Sequence, residues 1–397
     1  APFPRDRSIL GHPLVVKLQD CQDGVVRGCD LFHNWGECVG LWCGTSNAVV
    51  EDCTIWDNYA VEVYIDKGRD CTVRRNLIYH TGNSNYFRNG LPCVGVLIGD
   101  EGEIPGDSSG FGRKILNNLF IGNGHHVGYW WSASNGRTDS RLRGELIANN
   151  TFVGAATKVI SIANPPGTNR HESVRFFNNV FHQANGNYCT LPTTSGHVLL
   201  FSNNCFSASA PSAAMAAGAV VGDPKFVGGG QFSPESYRLA RGSPCVGRGV
   251  VVGGMVADYF RRIRHSPPGI GFHELDGGVS FEEWASDHGV GGGAGGDHDR
   301  DSVANLLEFA IRGMSGTAPD AHLLPKAVAA GGVVRLVIQK NLEASLAAAY
   351  AVETSADLVH WTSLGLTIER DDADQMVVSV PCGAPARFLR LRVSLKH

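Results

Sequence analysis

The segment VEVYIDK, residues 61–67, places acidic, phenolic and basic side chains on one short stretch of chain. Side chains alternate between the two faces of a strand, so burial of its three β-branched residues would turn the residues between them outward. Carboxylates, a phenol and an amine are the groups that act as general acids, general bases and cation ligands. We therefore expect catalytic roles for Glu62, Tyr64, Asp66 and Lys67.

Two later segments repeat a short apolar run and end in polar or aromatic residues: IGDEGE (98–103) and NGHHVGYWW (123–131). Long insertions at residues 81–93 and 102–113 fall beside them, and long loops over a rigid scaffold commonly carry binding sites. We expect further catalytic roles for Asp100, His125 and His126. The expected substrate-binding residues are His80, Glu101, Tyr129, Trp130 and Trp131.

Two chemistries suit these side chains, and both act on a polysaccharide, because aromatic faces stack on sugar rings. A lyase acting on uronic acids needs a base, here Lys67, His125 or His126, and a catalytic Ca²⁺ or an arginine that neutralises the substrate carboxylate. A glycoside hydrolase needs two carboxylates roughly 5–9 Å apart. Glu62 and Asp66 would be about 13 Å apart by strand rise, so Asp66 with Asp100 is the better pair.

An irregular repeat organises residues 1 to about 230 and must position these strands. Each of seven segments has an apolar residue, then Cys or Asn three places on, then another apolar residue. A period of about 22–25 residues with variable insertions and no helical periodicity predicts a β-solenoid. Because Asn tolerates a left-handed backbone and its amide can bond the next Asn, we expect a ladder along one corner. Its members would be Cys29, Cys53, Asn76, Asn118, Asn150, Asn179 and Asn204.

Composition narrows the classes of partner. The net charge is −4 and no run of Lys or Arg stands out, so we expect no nucleic-acid partner. No apolar stretch is long enough to predict a membrane span. The eleven cysteines include no C-x-x-C pair and indicate small buried residues, with Cys38–Cys43 and Cys21–Cys29 as alternative disulfides. We expect a monomer. Because the chain begins without Met or a signal peptide, we expect it to be either a mature form or a fragment.

A different pattern begins at residue 278. SFEEWASDHGV (280–290) has helical spacing, and DHDRDSVANLLE (297–308) has the ligand spacing of an EF-hand calcium loop. Ser302 stands at the sixth loop position, where glycine is expected. We expect a structural Ca²⁺, the alternative being a solvated acidic turn that caps a helix. The ligands would be Asp297, Asp299, Asp301, Val303 through its carbonyl, Asn305 and Glu308.

The asparagine ladder with its N-N-x-F pattern resembles the right-handed parallel β-helix of pectate-lyase-like proteins. The segments DPKFV (223–227), YRLARGSPCVGRG (237–249) and IGFHE (270–274) resemble the closing segment of secreted bacterial β-helix proteins. The calcium loop and YAVETSADLVHW (350–361) are similar to a tail of secreted bacterial polysaccharide-processing proteins. These resemblances imply a secreted or cell-surface protein.

The sequence therefore predicts an all-β chain in three parts. These are a right-handed parallel β-helix solenoid (1–277), a linker with a helix and the calcium loop (278–321), and a small C-terminal β-sandwich (322–397). We expect an exported protein that binds and cleaves a polysaccharide, as a lyase of uronate-containing glycans ahead of a glycoside hydrolase. The alternative is a non-catalytic glycan-binding adhesin or a structural surface protein.

Overall fold

The structure is a computed structural model, and it describes residues 13–101, 110–132, 139–228, 232–240, 242–275, 278–341, 344, 347–371, 375–381 and 388–396. The chain divides into two compact units. The first comprises Ala1–Phe260 and His265–Leu275, and the second comprises Arg261–Arg264 and Asp276–His397.

The first unit is a parallel β-helix in which three sheets are built from strands of successive coils. The first sheet contains β1 (Val16–Leu18), β4 (Glu37–Leu41), β7 (Val61–Asp66), β10 (Val94–Asp100), β13 (Val127–Trp131), β16 (Ile160–Ile162) and β19 (Cys189–Thr190). The second contains β2 (Val25–Arg27), β5 (Val49–Glu51), β8 (Thr72–Arg74), β11 (Lys114–Leu116), β14 (Leu146–Ala148), β17 (Val174–Phe177) and β20 (Leu199–Ser202). The third contains β3 (Asp30–Phe32), β6 (Thr54–Trp56), β9 (Leu77–Tyr79), β12 (Leu119–Ile121), β15 (Thr151–Val153), β18 (Val180–His182), β21 (Cys205–Phe206) and β22 (Val220–Val221).

The apolar positions of the predicted template stack in register inside the coils. In the second sheet Val50 pairs with Val73, and Val73 pairs with Ile115. In the third sheet Phe120 pairs with Phe152, whose ring lies 5.5 Å from that of Phe181. These side chains are almost completely buried, and each contributes about 1.5–3 kcal/mol relative to exposure. The stacking confirms the predicted β-solenoid.

The predicted asparagine ladder is present. The backbone N–H and the amide of Asn118 both donate to the side-chain oxygen of Asn150, at 2.9 and 3.0 Å. Asn76 makes the same pair of bonds to Asn118, and the backbone N–H of Cys53 continues the row by donating to Asn76 at 2.9 Å. Each amide is fully buried and cannot bond to water, so these hydrogen bonds satisfy its polar atoms.

The left-handed backbone belongs to the residue before each ladder position, which corrects the expectation that the ladder residue itself adopts it. Asn117, Asn149 and Asn178 have φ of 53°, 54° and 55°. Their amides turn outward and bind the closing segment (residues 223–228, 232–240, 242–260 and 265–275). Asn117 donates to Ala257 O at 2.8 Å, and Asn178 donates to Val250 O at 2.7 Å. The two residues of each Asn-Asn pair therefore have different roles.

The cysteines described in the structure are thiols, and most of them are buried among the coils. Cys382 lies outside the described residues. Three short 3₁₀ helices occur in loops of this unit: Ser84–Tyr86, Ala213–Met215 and Pro234–Tyr237. Among the described residues of the chain, no helix has the length and apolar character needed to cross a bilayer.

Among its described residues, the second unit contains two α-helices and a β-sandwich. Helix α1 (Phe281–His288) begins after Ser280, whose side chain accepts from the N–H of Glu283 at 3.1 Å, and ends at Gly289 with φ 69°. Helix α2 (Asn305–Ala310) and a 3₁₀ helix (Ala321–Leu323) follow. The strands are β23 (Arg262–Ile263), β24 (Gly278–Val279), β25 (Ala327–Ala330), β26 (Val333–Gln339), β27 (Ala348–Ser355), β28 (Thr367–Asp371), β29 (Gln375–Pro381) and β30 (Phe388–Leu395).

The helical segment is part of the second unit rather than a linker. Phe281, Trp284 and Phe309 share one hydrophobic cluster with Ala348, and Leu395 packs against it. The sandwich has a four-stranded antiparallel sheet, in the order β25-β26-β29-β28, and an antiparallel pair, β27-β30. The division between the two units falls between Leu275 and Asp276, and the described helices and sandwich strands that follow it belong to the second unit.

Candidate active site and candidate calcium site

A cleft of about 700 Å³ runs across the outer face of the first sheet. It crosses strands β4 to β19, and the insertion at residues 81–93 adds Arg88 to its wall. A volume of this size accommodates a small oligosaccharide or a comparable ligand. The lining residues are Glu37, Trp42, Val61, Tyr64, Asp66, Arg88, Val94, Leu97, Glu101, His125, Gly128, Tyr129, Trp130, Ser161, Ile162, Ala163 and Thr190.

Three carboxylates from successive coils line this cleft. Glu37 begins β4, Asp66 ends β7, and Glu101 directly follows β10. The backbone N–H of Glu101 donates to Asp66 Oδ1 at 2.8 Å. The Tyr64 hydroxyl donates to Glu101 Oε1. The parallel stacking of the coils therefore brings together carboxylates that are far apart in sequence.

Glu37 has the electrostatic character of a general acid. Burial, together with the charges of Glu101 and Asp66, raises its pKa to about 7, against opposing effects of Trp42 and Arg88. Its side chain is 8% exposed, and among the described residues Oε2 has no hydrogen-bond partner. A carboxyl group that keeps its proton near neutral pH and has a free oxygen in a cleft can donate that proton to a ligand.

Aromatic and cationic side chains complete the wall. Trp130 is 39% exposed on β13, which leaves part of its indole available for stacking on a ligand. His125 donates to or accepts from the Thr157 hydroxyl at 3.0 Å, and burial lowers its pKa. Tyr129 is buried, and its hydroxyl donates to Asp100 at 3.2 Å behind the cleft surface. Arg88 supplies a guanidinium to the same wall.

Glu62 lies inside the coil instead of on the outward face. The alternation of β7 breaks at this residue: Val61 lines the cleft, whereas Glu62 is fully buried and Val63 packs in the core. Its carboxylate accepts hydrogen bonds from the Asn58 amide and, at 3.1 Å, from the Cys93 thiol. Burial raises the pKa of Glu62 to about 7, so its shifted pKa reports an interior position rather than access to substrate.

Lys67 and Asp100 are also buried away from the cleft surface. Lys67 is 1% exposed at a left-handed turn with φ 60°. Asp100 is fully buried, accepts from the backbone N–H of Arg141 at 3.1 Å, and lies 3.9 Å from the guanidinium of Arg113. Arg113 also binds Glu145 through two nitrogens, at 2.9 and 2.5 Å. This buried ion cluster supports the sheet from behind.

His126, Trp131 and His80 likewise have structural partners and lie outside the cleft lining. His126 is fully buried, bonds Val153 O at 3.1 Å, and has a pKa lowered to about 3 by burial. Trp131 packs against the core and donates to Asn164 O at 2.7 Å. His80 is 2% exposed, and its Nδ1 accepts from the Gly82 N–H at 3.0 Å. Consecutive residues such as 125 and 126, or 130 and 131, alternate between faces, so one of each pair points inward.

The cleft thus contains Tyr64, Asp66, Glu101, His125, Tyr129 and Trp130 of the expected residues, and it adds Glu37, Trp42 and Arg88. Glu37 was detectable, because it lies eight residues after Cys29, at the spacing of the other first-sheet strands. Trp42 follows the same strand. Arg88 lies within the insertion at 81–93, and nothing in the local sequence pattern indicates that its side chain faces the cleft.

Acidic side chains in the second unit form a candidate cation site around Asp301. The carboxylates of Asp301, Glu308 and Asp320 approach within 4.8 Å of one another, and Asp301 also groups with Asp297 and Asp299. Oxygen ligands of one Ca²⁺, each 2.3–2.6 Å from the ion, lie at such separations. Glu308 is fully buried, and neither of its carboxylate oxygens has a partner among the described residues.

The loop departs from the EF-hand pattern in two ways. Asn305 is occupied elsewhere: its amide donates to the carbonyls of Gly291 and Gly293 at 2.8 Å, and its oxygen accepts from His298. Asp320, which sequence spacing did not indicate, joins the carboxylate group instead. The turn itself is preserved, because Ser302 adopts φ 72° at the position where glycine was expected. Val303 is buried in the core of the unit.

Comparison with known protein families places the fold of the first unit. The family model described as the right-handed β-helix region matches residues 16–138. This match agrees with the three parallel sheets and supports a right-handed parallel β-helix. No curated protein and no solved structure matched the chain. The fold hosts enzymes and binding proteins of many kinds, so function must be argued from the cleft.

Proposed function

We propose that the first unit is a glycoside hydrolase whose active site is the cleft on the first sheet. The observation that carries this proposal is the buried carboxyl group of Glu37, with a pKa of about 7 that is raised in part by the charges of Asp66 and Glu101 in the same cleft. A raised-pKa acid paired with a second carboxylate is the arrangement that glycoside hydrolysis requires. Trp130 and Trp42 supply aromatic surface for sugar rings.

The charge of the cleft favours a neutral glycan over a uronate. The carboxylates of Asp66 and Glu101 and the carboxyl group of Glu37 line the wall with one guanidinium, that of Arg88, and burial lowers the pKa of His125, which disfavours its cationic form. A polyuronate brings one negative charge with each sugar and would be repelled unless a cation accompanied it. This electrostatic argument ranks hydrolysis above the uronate lyase that the sequence favoured.

In the proposed mechanism Glu37 donates its proton to the glycosidic oxygen as the bond from that oxygen to the anomeric carbon breaks. Asp66 or Glu101 acts on the other side, either by taking a proton from water or by attacking the anomeric carbon. The overall reaction adds the hydroxyl of water to the anomeric carbon and its remaining hydrogen to the leaving oxygen. The hydrogen bond from the Tyr64 hydroxyl to Glu101 holds that carboxylate in place. The backbone N–H of Glu101 in turn donates a hydrogen bond to Asp66.

The buried position of Lys67 weakens the lyase alternative, since Lys67 was one of its three expected bases. His126 is lost as a base for the same reason, and His125 remains. A non-catalytic adhesin would use the same aromatic cleft but would have no need of an acid with a raised pKa. Export to the cell surface or beyond stays a prediction.

Glycan binding is tested by affinity electrophoresis through gels that contain neutral or uronate-rich polysaccharides. We expect wild-type migration to be retarded by at least one neutral glycan, and Trp130→Ala to lose that retardation. Phe32→Ala is the matched control, because Phe32 is a similarly exposed aromatic residue (46% against 39%) that does not line the cleft. Equal retardation of both variants and the wild type would contradict the proposal that the cleft binds the glycan.

We propose separately that the second unit binds one structural Ca²⁺ through Asp301, Glu308 and Asp320. The buried, unpartnered carboxylate of Glu308 supports this proposal, because burying it among other carboxylates costs free energy that a divalent cation would offset. The test is isothermal titration of the chelator-treated full chain with Ca²⁺. Binding that disappears in Asp320→Asn but persists in Asn305→Ala supports this ligand set over the EF-hand set, whereas loss in Asn305→Ala alone contradicts it.

A further inference from the structure

Two buried cysteines from distant parts of the first unit meet in one apolar cluster. Cys205 begins β21, in the last coils, and Cys245 lies in the closing segment. Both are completely buried, and they share a cluster with Val180 and Leu239. Their thiols are hydrogen-bonded to each other. The pair thus marks a place where the closing segment packs on the β-helix.

Backbone hydrogen bonds fix each cysteine independently of the other. The N–H of Cys205 donates to Asn179 O at 2.8 Å within the stack of coils. The carbonyl of Cys245 accepts from the N–H of Ile270 at 2.9 Å, and its N–H donates to the Ser243 hydroxyl at 3.2 Å. Each backbone is therefore anchored by its own hydrogen bonds, so a bond between the two sulfurs would join two ordered segments of the unit.

Other buried thiols in the unit are bound to oxygen acceptors. The Cys53 thiol donates to Glu51 O at 3.2 Å, the Cys71 thiol to Arg69 O at 3.5 Å, and the Cys93 thiol to a carboxylate oxygen of Glu62 at 3.1 Å. The Cys205 thiol also donates to a carbonyl, Gly222 O at 3.7 Å, but it differs in having the thiol of Cys245 as a second partner. This thiol–thiol contact distinguishes Cys205 from Cys53, Cys71 and Cys93.

We propose that Cys205 and Cys245 form a disulfide that fastens the closing segment to the last coils of the β-helix. The oxidant is a small-molecule or protein disulfide that reacts by thiol–disulfide exchange. One cysteine thiolate attacks the oxidant to give a mixed disulfide and one thiol. The second cysteine thiolate then displaces the other half of the oxidant, so that the protein loses two hydrogens and the oxidant becomes two thiols.

The bond must form before the closing segment docks. In the folded chain the hydrogen bond to Cys245 and burial both raise the pKa of the Cys205 thiol, which disfavours the reactive thiolate. Neither sulfur is reachable once the cluster has closed, because both residues have zero exposure. For the same reason the completed disulfide would be shielded from reductants in solution.

The test is refolding of the full chain in a glutathione redox buffer, followed by unfolding without reductant, alkylation of free thiols and peptide mass spectrometry. We expect the peptides of Cys205 and Cys245 to be joined and to lack the alkyl label, while Cys71 carries the label. Complete alkylation of both cysteines after refolding in the redox buffer would overturn the proposal. This measurement uses the wild-type chain and does not depend on a variant that folds.

A second readout measures the effect of the cross-link. Wild type refolded in the presence of a reductant should have a Tm on the order of 5–10 °C below that of wild type refolded in the redox buffer, given the usual stabilisation by a disulfide that closes a long loop. The double variant Cys205→Ala, Cys245→Ala should show no shift with reductant, and the control Cys71→Ala should keep the wild-type shift. A reductant effect that survives in the double variant would assign it to other cysteines and contradict the proposal.

Discussion

The role of Glu37 as the proton donor makes a quantitative prediction about pH. With a pKa of about 7, roughly 90% of Glu37 is protonated at pH 6. An unshifted glutamate, with a pKa of about 4.5, would be only about 3% protonated at that pH. Burial and the neighbouring carboxylates therefore raise the population of the acid form about 30-fold. Glycan cleavage should lose activity as the pH rises through about 7.

Replacing the carboxyl group tests this role directly. Glu37→Gln should lower kcat on a polysaccharide by roughly 10²–10⁴ while leaving the dissociation constant for the glycan within a few-fold of wild type. An aryl glycoside with an acidic phenol as leaving group needs little protonation, so its cleavage should fall far less. Glu235→Gln is the matched control, because that side chain is 64% exposed and lies outside the cleft lining.

Neighbouring charges should move the alkaline limb of the pH profile in opposite directions. The charge of Glu101 raises the pKa of Glu37 and that of Arg88 lowers it. Glu101→Gln should therefore shift the limb to lower pH, and Arg88→Gln should shift it to higher pH, in whatever activity each variant retains. The reasoning is refuted if Glu37→Gln keeps activity within ten-fold of wild type, or if both charge variants move the limb the same way.

Three further predictions concern stability. Glu62 has a pKa of about 7 in the folded state against an ordinary value of 4.5, so the folded state binds its proton more tightly. The free energy of unfolding should therefore fall by up to about 3 kcal/mol between pH 4.5 and pH 7. Glu62→Gln should flatten this pH dependence in urea titrations. Asn150→Ala removes buried bonds to Ile115 O and Asn179 and should destabilise the fold by about 2–4 kcal/mol in urea; a loss below 1 kcal/mol would contradict the ladder's role. Saturating Ca²⁺ at about 100 times its Kd should stabilise the second unit by about 2.7 kcal/mol, and Glu308→Gln should abolish the gain; an equal gain in the variant would exclude Glu308 as a ligand.

The sequence predicted the solenoid because each copy of its repeat corresponds to one coil of the structure. Each template residue, from Val50 to Phe152, recurs at the same corner of a coil and pairs with its counterpart in the next coil. The Asn118–Asn150 bonds follow from the same repetition. What the template could not show was that the left-handed turn precedes the ladder residue, since Asn-Asn pairs leave the two positions interchangeable in sequence.

The site was harder to predict because it depends on breaks in the pattern. Strict alternation placed Glu62 outside, but two successive residues, Glu62 and Val63, turn inward. The proposed acid, Glu37, instead comes from the preceding coil. Asp320 was missed for a related reason: it reaches Asp301 through a turn, where its N–H donates to Asp301 at 2.8 Å, rather than through loop spacing.

The most direct test of the central claim is a parallel assay of the full chain on neutral and uronate-containing polysaccharides. One channel measures new reducing ends, and the other measures the ultraviolet absorbance of the unsaturated sugar that β-elimination creates. We predict new reducing ends from a neutral glycan, no rise in absorbance, and loss of the reducing-end signal in Glu37→Gln. A rise in absorbance with a uronate substrate, undiminished in Glu37→Gln, would contradict it and establish a lyase.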